Sequence, residues 1–238
     1  MINKESGNLY IIPTPIGEID NTSINKIAPE TYDVIQSLSY FIVENIKTSR
    51  RYLRRLNPNF DIDNTSFFIL NKHTKDSEIS TFIRPCLNNN NVGILSEAGY
   101  PAIADPGNKI VRMAHKLNIQ VFPLIGPSSI LMALVSSGFC GQHFTFHGYL
   151  PKERKDRIKK IKLLSSNNLK GSQIFMETPF RNNNLISDIL ENCPDETQLC
   201  IASNISCKNQ IIKSQNIKMW KKTKYNYNKS PTIFIFAQ

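Results

Sequence analysis

The chain has 238 residues and a formal net charge of +10, with 29 Lys or Arg against 19 Asp or Glu. Apolar residues make up 40% of the chain and aromatic residues 9%, which is enough to bury a core and argues against intrinsic disorder. No run reaches the ~18 uncharged apolar residues of a membrane-spanning helix, and the N-terminal residues lack the apolar stretch of a signal peptide.

Short β-branched and aromatic runs alternate with helical spacing through the first half of the chain. Strands are predicted at Leu9–Ile12, Tyr40–Glu44, Ser66–Leu70, Val92–Ser96 and Gln120–Pro123. Helical spacing follows at Val34–Leu38 and at Ile110–Leu117, the second after an Asp-Pro pair that suits a first helical turn. Because the strands are continuous apolar runs, they are typical of a parallel sheet covered on both faces.

A second set of elements follows residues 123–127 (PLIGP), where Gly and two Pro interrupt the periodicity. Ser128–Ser137 is apolar nearly all round and predicts a buried helix that ends at Gly138. Further strands and helices are predicted at Phe144–His147, Lys152–Leu164, Ser172–Glu177, Leu185–Leu190, Gln198–Ala202 and Thr232–Ala237. We therefore expect two α/β domains, residues 1–124 and 125–238, with a ligand site in the cleft between them.

The cysteines are five in number, and none forms a C-x-x-C pair. A disulfide framework or a zinc site is therefore disfavoured, and a reducing cytoplasm is the simpler expectation. His143 and His147 flank a predicted strand but lack a third ligand, so we expect no metal.

Positive charge is concentrated in three segments. Residues 47–55 carry five bases and no acid, residues 145–175 carry eight bases and two acids, and residues 197–238 carry seven Lys and no acid. A localised positive field attracts phosphate polyanions. Because acids are nearly absent from these segments, we favour nucleic-acid binding over the alternative of solvated Lys-rich faces.

Arginines in the first of these segments form one helical face, because Arg50, Arg51, Arg54 and Arg55 occupy positions i, i+1, i+4 and i+5. Such a face can clamp phosphates. It can equally be a solvated helix surface, and the sequence leaves both interpretations open.

Three loops rich in small residues follow predicted strands. They are Thr14–Gly17 (TPIG), Ser96–Gly107 (SEAGYPAIADPG) and Gly126–Ser129 (GPSS). Gly, Ala and Pro let the backbone approach a ligand closely and keep a loop stiff. Junctions between a strand and a helix are also where α/β proteins usually bind ligands.

These loops, together with Gly148–Pro151 (GYLP) and Glu177–Arg181 (ETPFR), occur in an order and at spacings that resemble the tetrapyrrole methylase superfamily. The chain is most similar to the ribosomal RNA small subunit methyltransferase I family, the 16S rRNA cytidine 2′-O-methyltransferases. It stands in a divergent branch, since residues 202–208 (ASNISCK) replace that family's Arg-Glu-Leu stretch and His-Glu pair. The resemblance implies a two-lobed α/β fold with a mostly parallel N-terminal sheet, a mixed C-terminal sheet, a cofactor cleft between the lobes, and a homodimer.

The resemblance also implies that S-adenosylmethionine (SAM) is the methyl donor. In the N-terminal domain it implies cofactor binding by Pro15, Gly17, Glu97, Gly99, Ala102 and Ile103. In the C-terminal domain it implies cofactor binding by Ser128, Ser129, Met176, Ala202, Pro231 and Thr232. The chain has no G-x-G-x-x-G fingerprint, so we expect SAM not to be held as in Rossmann methyltransferases.

Methyl transfer from a sulfonium is an in-line displacement that depends mainly on alignment, and a hydroxyl nucleophile also gains from a nearby base. The candidate bases are Glu44, Glu97, Asp105 and His73. We favour Glu44, which with Lys47 lies in a segment resembling the family's acidic-then-basic stretch after the second strand. Asp105 is otherwise expected as a helix cap, and Glu97 as an acceptor for loop amides.

The sequence therefore predicts a SAM-dependent methyltransferase that acts on a ribose 2′-hydroxyl of 16S ribosomal RNA, with the rRNA or the 30S subunit as its partner. Two alternatives stay open: methylation of a small molecule such as a tetrapyrrole, and a catalytically inactive RNA-binding relative. The basic charge favours RNA, since tetrapyrroles carry only a few carboxylates. The intact small-residue loops favour an enzyme.

Overall fold

The computed structural model describes residues 6–17, 27–71, 73–166 and 168–237. The chain forms two compact units, Met1–Pro127 and Ser128–Gln238, and the domain boundary predicted after residue 124 falls three residues earlier. Within the described ranges, no helix has the length and apolar character that crossing a membrane requires.

The first unit contains a parallel sheet. Its described strands are β1 (Leu9–Ile12), β2 (Tyr40–Val43), β3 (Ser66–Ile69), β4 (Val92–Leu95) and β5 (Val121–Pro123). They lie in the order β3-β2-β4-β1-β5, and every neighbouring pair is parallel. The predicted parallel sheet is confirmed, and all of these strands end at the same edge.

Helices cover both faces of this sheet. The described ones are α1 (Pro29–Ser37), α2 (Ile46–Leu56), α3 (Asp76–Phe82), α4 (Arg84–Leu87) and α5 (Asn108–Lys116). Residues of α1 and α2 pack with Phe41 and Val43 of β2, whereas α3, α4 and α5 pack with Ile42 on the other side. Because successive strand residues face opposite cores, the strands have to be apolar throughout.

The second unit contains a mixed sheet, as predicted. Its described strands are β6 (Phe144–Tyr149), β7 (Ser172–Met176), β8 (Gln198–Ser203), β9 (Ile211–Asn216) and β10 (Thr232–Phe236). They lie in the order β6-β7-β10-β8-β9. The pair β6–β7 is parallel, and the other neighbouring pairs are antiparallel.

The described helices of the second unit are α6 (Ser129–Ser137), α7 (Arg154–Leu164), α8 (Asn182–Asn192) and α9 (Ile217–Trp220), and a 3₁₀ turn at Pro179–Arg181 precedes α8. On one face of the sheet, α7, α8 and α9 enclose a core around Trp220 and Phe175. On the other face, Ala133 and Leu134 of α6 pack on Ile174.

The prediction that α6 is a buried helix is wrong. Ala133, Leu134 and Ser137 are buried, but Leu131 is 50% exposed and Val135 is 80% exposed. The helix covers the sheet with one side only, which its uniformly apolar sequence does not reveal. Its predicted end is confirmed, since Gly138 adopts a left-handed φ of 76° after the last turn.

Candidate functional site

Loops that the sequence singles out meet at the carboxyl edge of the first sheet. Thr14, after β1, and Gly99, after β4, bond through their backbones in both directions, at 2.9 and 3.0 Å. The Tyr100 hydroxyl accepts a hydrogen bond from the Gly126 amide at 3.0 Å. A Cβ on Gly126 would lie 2.1 Å from Pro13 Cγ, so glycine is required there. Three separate loops are thereby fixed to one another.

Asp105 holds the 96–107 loop in shape. Its carboxylate accepts hydrogen bonds from the amides of Ala102, at 2.9 and 3.0 Å, and Gly107, at 2.7 Å. Ala102 and Ala104 have left-handed φ values of 69° and 63°, a conformation that costs an L-residue roughly 1–2 kcal/mol. The carboxylate offsets this strain. The expectation that Asp105 is a helix cap is wrong, because the N-cap of α5 is Gly107 and no side chain caps this helix; Asp105 instead binds amides within the loop.

Glu44 and Glu97 are linked at the same edge. Glu44 follows β2, and its Oε1 accepts a hydrogen bond from the Glu97 amide at 3.2 Å. The Thr48 hydroxyl, in the first turn of α2, donates to Glu97 Oε1 at 2.6 Å. Three of the four candidate bases, Glu44, Glu97 and Asp105, therefore come together. His73 does not, since it is exposed in the loop after β3 and lines neither cavity described below.

Glu44 and Asp105 line one open cavity of about 180 Å³, together with Leu70 and Pro101. Burial raises the pKa of Glu44; the Glu97 amide opposes this rise, and the charges of Asp105 and Glu97 add to it. Burial also raises the pKa of Asp105, against the hydrogen bonds from its loop amides. A half-buried carboxylate with a raised pKa beside a cavity is suited to accept a proton.

A second open cavity, of about 270 Å³, lies along the buried side of α2. It is lined by Thr14, Thr48, Ser49, Tyr52, Leu95, Ser96 and Glu97. The Tyr52 hydroxyl is buried and has no hydrogen-bond partner among the described residues. Sequence reasoning missed Tyr52 and Thr48, because a Tyr on the apolar side of a helix is typical of a core residue.

Lys47 also lies in the first turn of α2, and its side chain is exposed. Asn45 caps this helix, since its Oδ1 accepts hydrogen bonds from the amides of Lys47, at 2.9 Å, and Thr48, at 3.4 Å. The cap explains why α2 starts at Ile46. Glu44 and Lys47 consequently lie on either side of the capped start of this helix.

In the second unit, four of the predicted cofactor residues come together where strands begin or end. Because β10 is antiparallel to β7 and β8, Ile233 pairs with both Met176 and Ala202, and Thr232 pairs with Ser203. The carbonyl of Pro231 accepts a hydrogen bond from the Asn204 amide at 2.9 Å. One end of the second sheet, where β7 and β8 end and β10 begins, therefore contains all four residues: Met176, Ala202, Pro231 and Thr232.

Two buried acceptor atoms lie beside this end of the sheet. Glu177 follows β7, and its Oε1 accepts from the Thr178 amide at 2.7 Å and from the Arg181 guanidinium. Asn182 Nδ2 donates to the Thr232 hydroxyl at 3.2 Å. Within the described chain, Glu177 Oε2 and Asn182 Oδ1 have no partner. An unsatisfied buried acceptor costs roughly 1–3 kcal/mol, so these atoms favour a bound donor.

Ser128 and Ser129 belong to the second unit, at the start of α6. The Ser128 hydroxyl caps the helix by accepting a hydrogen bond from the Leu131 amide at 3.4 Å. Among the described residues, no group of three or more His, Cys, Asp or Glu is arranged to hold a metal ion.

Residues 8–219 match the family model described as Tetrapyrrole (Corrin/Porphyrin) Methylases. A ribosomal RNA small subunit methyltransferase I from Buchnera aphidicola subsp. Baizongia pistaciae is 30% identical over 240 residues, which cover 98% of this chain and 77% of the relative. Its counterpart from Vibrio cholerae is 31% identical over 198 residues, which cover 83% of this chain and 65% of the relative.

The fold is shared with a solved methyltransferase. The crystal structure of uroporphyrin-III-C-methyltransferase from Thermus thermophilus superposes with a TM-score of 0.59 at 12% identity, covering 97% of this chain and 94% of that one. This likeness confirms the predicted fold class. The family model and the 30% identical relative show which family the chain belongs to. The chain is therefore a methyltransferase of the tetrapyrrole methylase family and belongs, within it, to the ribosomal RNA small subunit methyltransferase I family.

Proposed function

We propose that the protein transfers a methyl group from SAM to a ribose 2′-hydroxyl of 16S ribosomal RNA, as a cytoplasmic homodimer whose partner is the rRNA of the small subunit. The observation that carries the proposal is the similarity, over 98% of the chain, to a relative named ribosomal RNA small subunit methyltransferase I. The net charge of +10 supports a polyanionic acceptor over a tetrapyrrole.

The proposed cofactor residues form two groups, one in each unit. The first group consists of Pro15, Gly17, Glu97, Gly99, Ala102 and Ile103, and the second of Ser128, Ser129, Met176, Ala202, Pro231 and Thr232. Two buried acceptors beside the second group, Glu177 Oε2 and Asn182 Oδ1, have no donor among the described residues. The adenine amine and the ammonium group of SAM are donors, which supports SAM as the ligand of this region. In the first group, the exposed Ile103 side chain is available for an apolar contact with the cofactor.

When bound, SAM supplies an electrophilic methyl group on a sulfonium. The chain's own residues align the acceptor and remove the proton from its hydroxyl. Glu44 Oε1 is oriented by the Glu97 amide, and we assign to Oε2 the role of accepting the proton of the acceptor hydroxyl. Lys47, exposed one turn away, adds positive charge beside that position. The hydrogen bonds of Asp105 keep the 96–107 loop fixed, which contributes to alignment.

Replacing Ile103 with Asp is expected to weaken SAM binding about tenfold, which corresponds to ~1.4 kcal/mol. Ile103 is 46% exposed, so the change does not disturb the core, but it removes an apolar contact and adds a charge. Isothermal calorimetry with SAM measures the effect. Leu87→Asp is the matched control, because Leu87 is 48% exposed on α4 and lies outside the proposed site. Equal SAM affinities for both variants and the unmodified protein would exclude Ile103 from the site.

Cells that lack this protein test the proposed acceptor. Mass spectrometry of nucleosides from their 16S rRNA is expected to show the loss of one 2′-O-methylated nucleoside, restored by the unmodified gene. Unchanged rRNA together with a missing methylated tetrapyrrole would instead support the small-molecule alternative. Unchanged rRNA with no SAM binding by the purified protein would support the inactive RNA-binding alternative.

A further inference from the structure

One face of α2 is purely cationic. Its five basic residues follow the spacing i, i+3, i+4, i+7 and i+8, so they form a single stripe, here called the α2 basic face: Lys47, Arg50, Arg51, Arg54 and Arg55. All five are exposed, and α2 contains no acidic residue. The opposite side of the helix is buried through Ser49, Tyr52, Leu53 and Leu56. The core therefore fixes which way the cations face.

Two of these arginines are held by contacts that leave their charge intact. The Arg50 guanidinium lies 5.3 Å from the centre of the Phe67 ring, a cation–π contact. Arg54 Nη1 donates to the carbonyl of Pro58 at 2.6 Å. Neither of these two partners is an acid, so the contacts reduce side-chain freedom without removing the charge of either arginine. Asp61 lies close enough to Arg54 for their opposite charges to interact. A preorganised cation loses less entropy when it binds an anion.

The α2 basic face begins at the candidate active site. Glu44 immediately precedes the Asn45 cap, and Thr48 of the first turn donates to Glu97. From Lys47 to Arg55 the stripe extends about 12 Å along the helix. A nucleic-acid strand carries roughly one phosphate per 3.4 Å of helix axis, so a stripe of this length spans several phosphates. A small ligand with few carboxylates could pair with only a part of so long a row of cations.

We propose that the α2 basic face binds the phosphate backbone of the RNA acceptor beside the nucleotide to be methylated. The inference rests on the proposed function and deepens it, because it names the element that holds the RNA. It assigns the stripe to the acceptor and not to SAM. Loss of these cations then weakens RNA binding and its salt dependence together, since each phosphate contact releases counterions.

The test uses the double variant Arg51→Gln/Arg54→Gln in the full chain, with transcribed 16S rRNA as the probe in filter-binding titrations across a salt series. RNA affinity is expected to fall roughly tenfold, and the slope of log affinity against log salt is expected to decrease by about 1.4 for single-stranded contacts. SAM affinity, measured by calorimetry, is expected to stay unchanged. Arg51→Lys/Arg54→Lys keeps both charges and is expected to retain most of the salt slope.

Arg112→Gln/Lys116→Gln is the matched control. It removes two exposed cations from α5, which packs on the opposite face of the same sheet. If the α2 and α5 double variants bind RNA alike, or if the α2 variant keeps the affinity and slope of the unmodified protein, the inference is overturned while methylation of RNA still stands. If the unmodified protein binds neither the transcript nor isolated 30S particles, the inference and the proposed function both fail. Thermal melts monitored by circular dichroism establish that each variant is folded.

Discussion

Replacing Glu44 with Gln is expected to lower kcat about 10²–10⁴-fold, the usual contribution of a general base. Gln has nearly the same size and keeps an oxygen for the Glu97 amide, which lies 3.2 Å from Glu44 Oε1, so the loop should stay in place. SAM affinity is therefore expected to be unchanged, and the defect should lie in the methyl-transfer step. Single-turnover kinetics with labelled SAM separate that step from binding.

The pH dependence of the activity tests the same assignment. A base must be deprotonated to act, and burial raises the pKa of Glu44 above its ordinary value of 4.5. Activity is therefore expected to fall as the pH decreases through this raised pKa, at a higher pH than an exposed Glu would give. In the Glu44→Gln variant, this fall in activity at low pH (the acidic limb of the pH profile) should disappear.

Glu78→Gln provides the control, because Glu78 is an exposed carboxylate on α3. It is expected to keep both kcat and the pH profile of the unmodified protein. A Glu44→Gln enzyme with normal kcat, or one that retains the acidic limb, would show that another group accepts the proton.

Replacing Asp188 with Ala is expected to reduce the free energy of unfolding of the second unit by about 3–5 kcal/mol, the usual cost of removing one partner of a buried ion pair. Asp188 Oδ1 accepts from Arg154 at 2.7 Å, and its Oδ2 lies 2.7 Å from Arg157 Nη2. The side chains of Asp188 and Arg157 are 4% and 10% exposed. Without the carboxylate, the Arg157 charge remains buried without its partner between α7 and α8.

Trp220 provides a local probe for this experiment. It is the single tryptophan of the chain, and it is fully buried in the core of the second unit, together with residues of α7 and α8. Urea unfolding followed by its fluorescence therefore reports on that unit alone. Glu191→Gln is the control, because Glu191 pairs with Arg154 but is 55% exposed, and an exposed pair contributes about 0–1 kcal/mol. Equal losses for both variants would contradict the account of a buried, stabilising Asp188.

The sequence was most informative where burial is two-sided. Each strand of the parallel sheet was predicted to within a residue or so at either end, because residues facing both cores must be apolar. Helices α3 and α4 were not predicted, because α3 contains few apolar residues between polar ones and α4 is only four residues long. Strand β9 was missed as well, because it lies at the sheet edge and all six of its residues are exposed or half-buried, which removes the alternation that identifies a strand.

Candidate site residues were predictable where backbone topology decides their position. The loops containing Thr14 and Gly99 follow parallel strands and had to meet at one edge. Other features of the site depend on tertiary packing. They are the position of His73 away from both cavities, the unpartnered hydroxyl of Tyr52 and the unpartnered oxygen of Asn182. These contacts depend on residues that are far apart in the sequence, so the spacing of residues in a single sequence does not reveal them.

Transfer of tritium from methyl-labelled SAM tests the central claim most directly. Purified protein is incubated in parallel with 30S particles, with naked 16S rRNA and with a tetrapyrrole, and the labelled product is digested and identified. We predict label in RNA, recovered as a 2′-O-methylated nucleoside. Label confined to the tetrapyrrole, or no transfer to any acceptor by protein that binds SAM, would contradict the assignment of this chain as a ribosomal RNA methyltransferase.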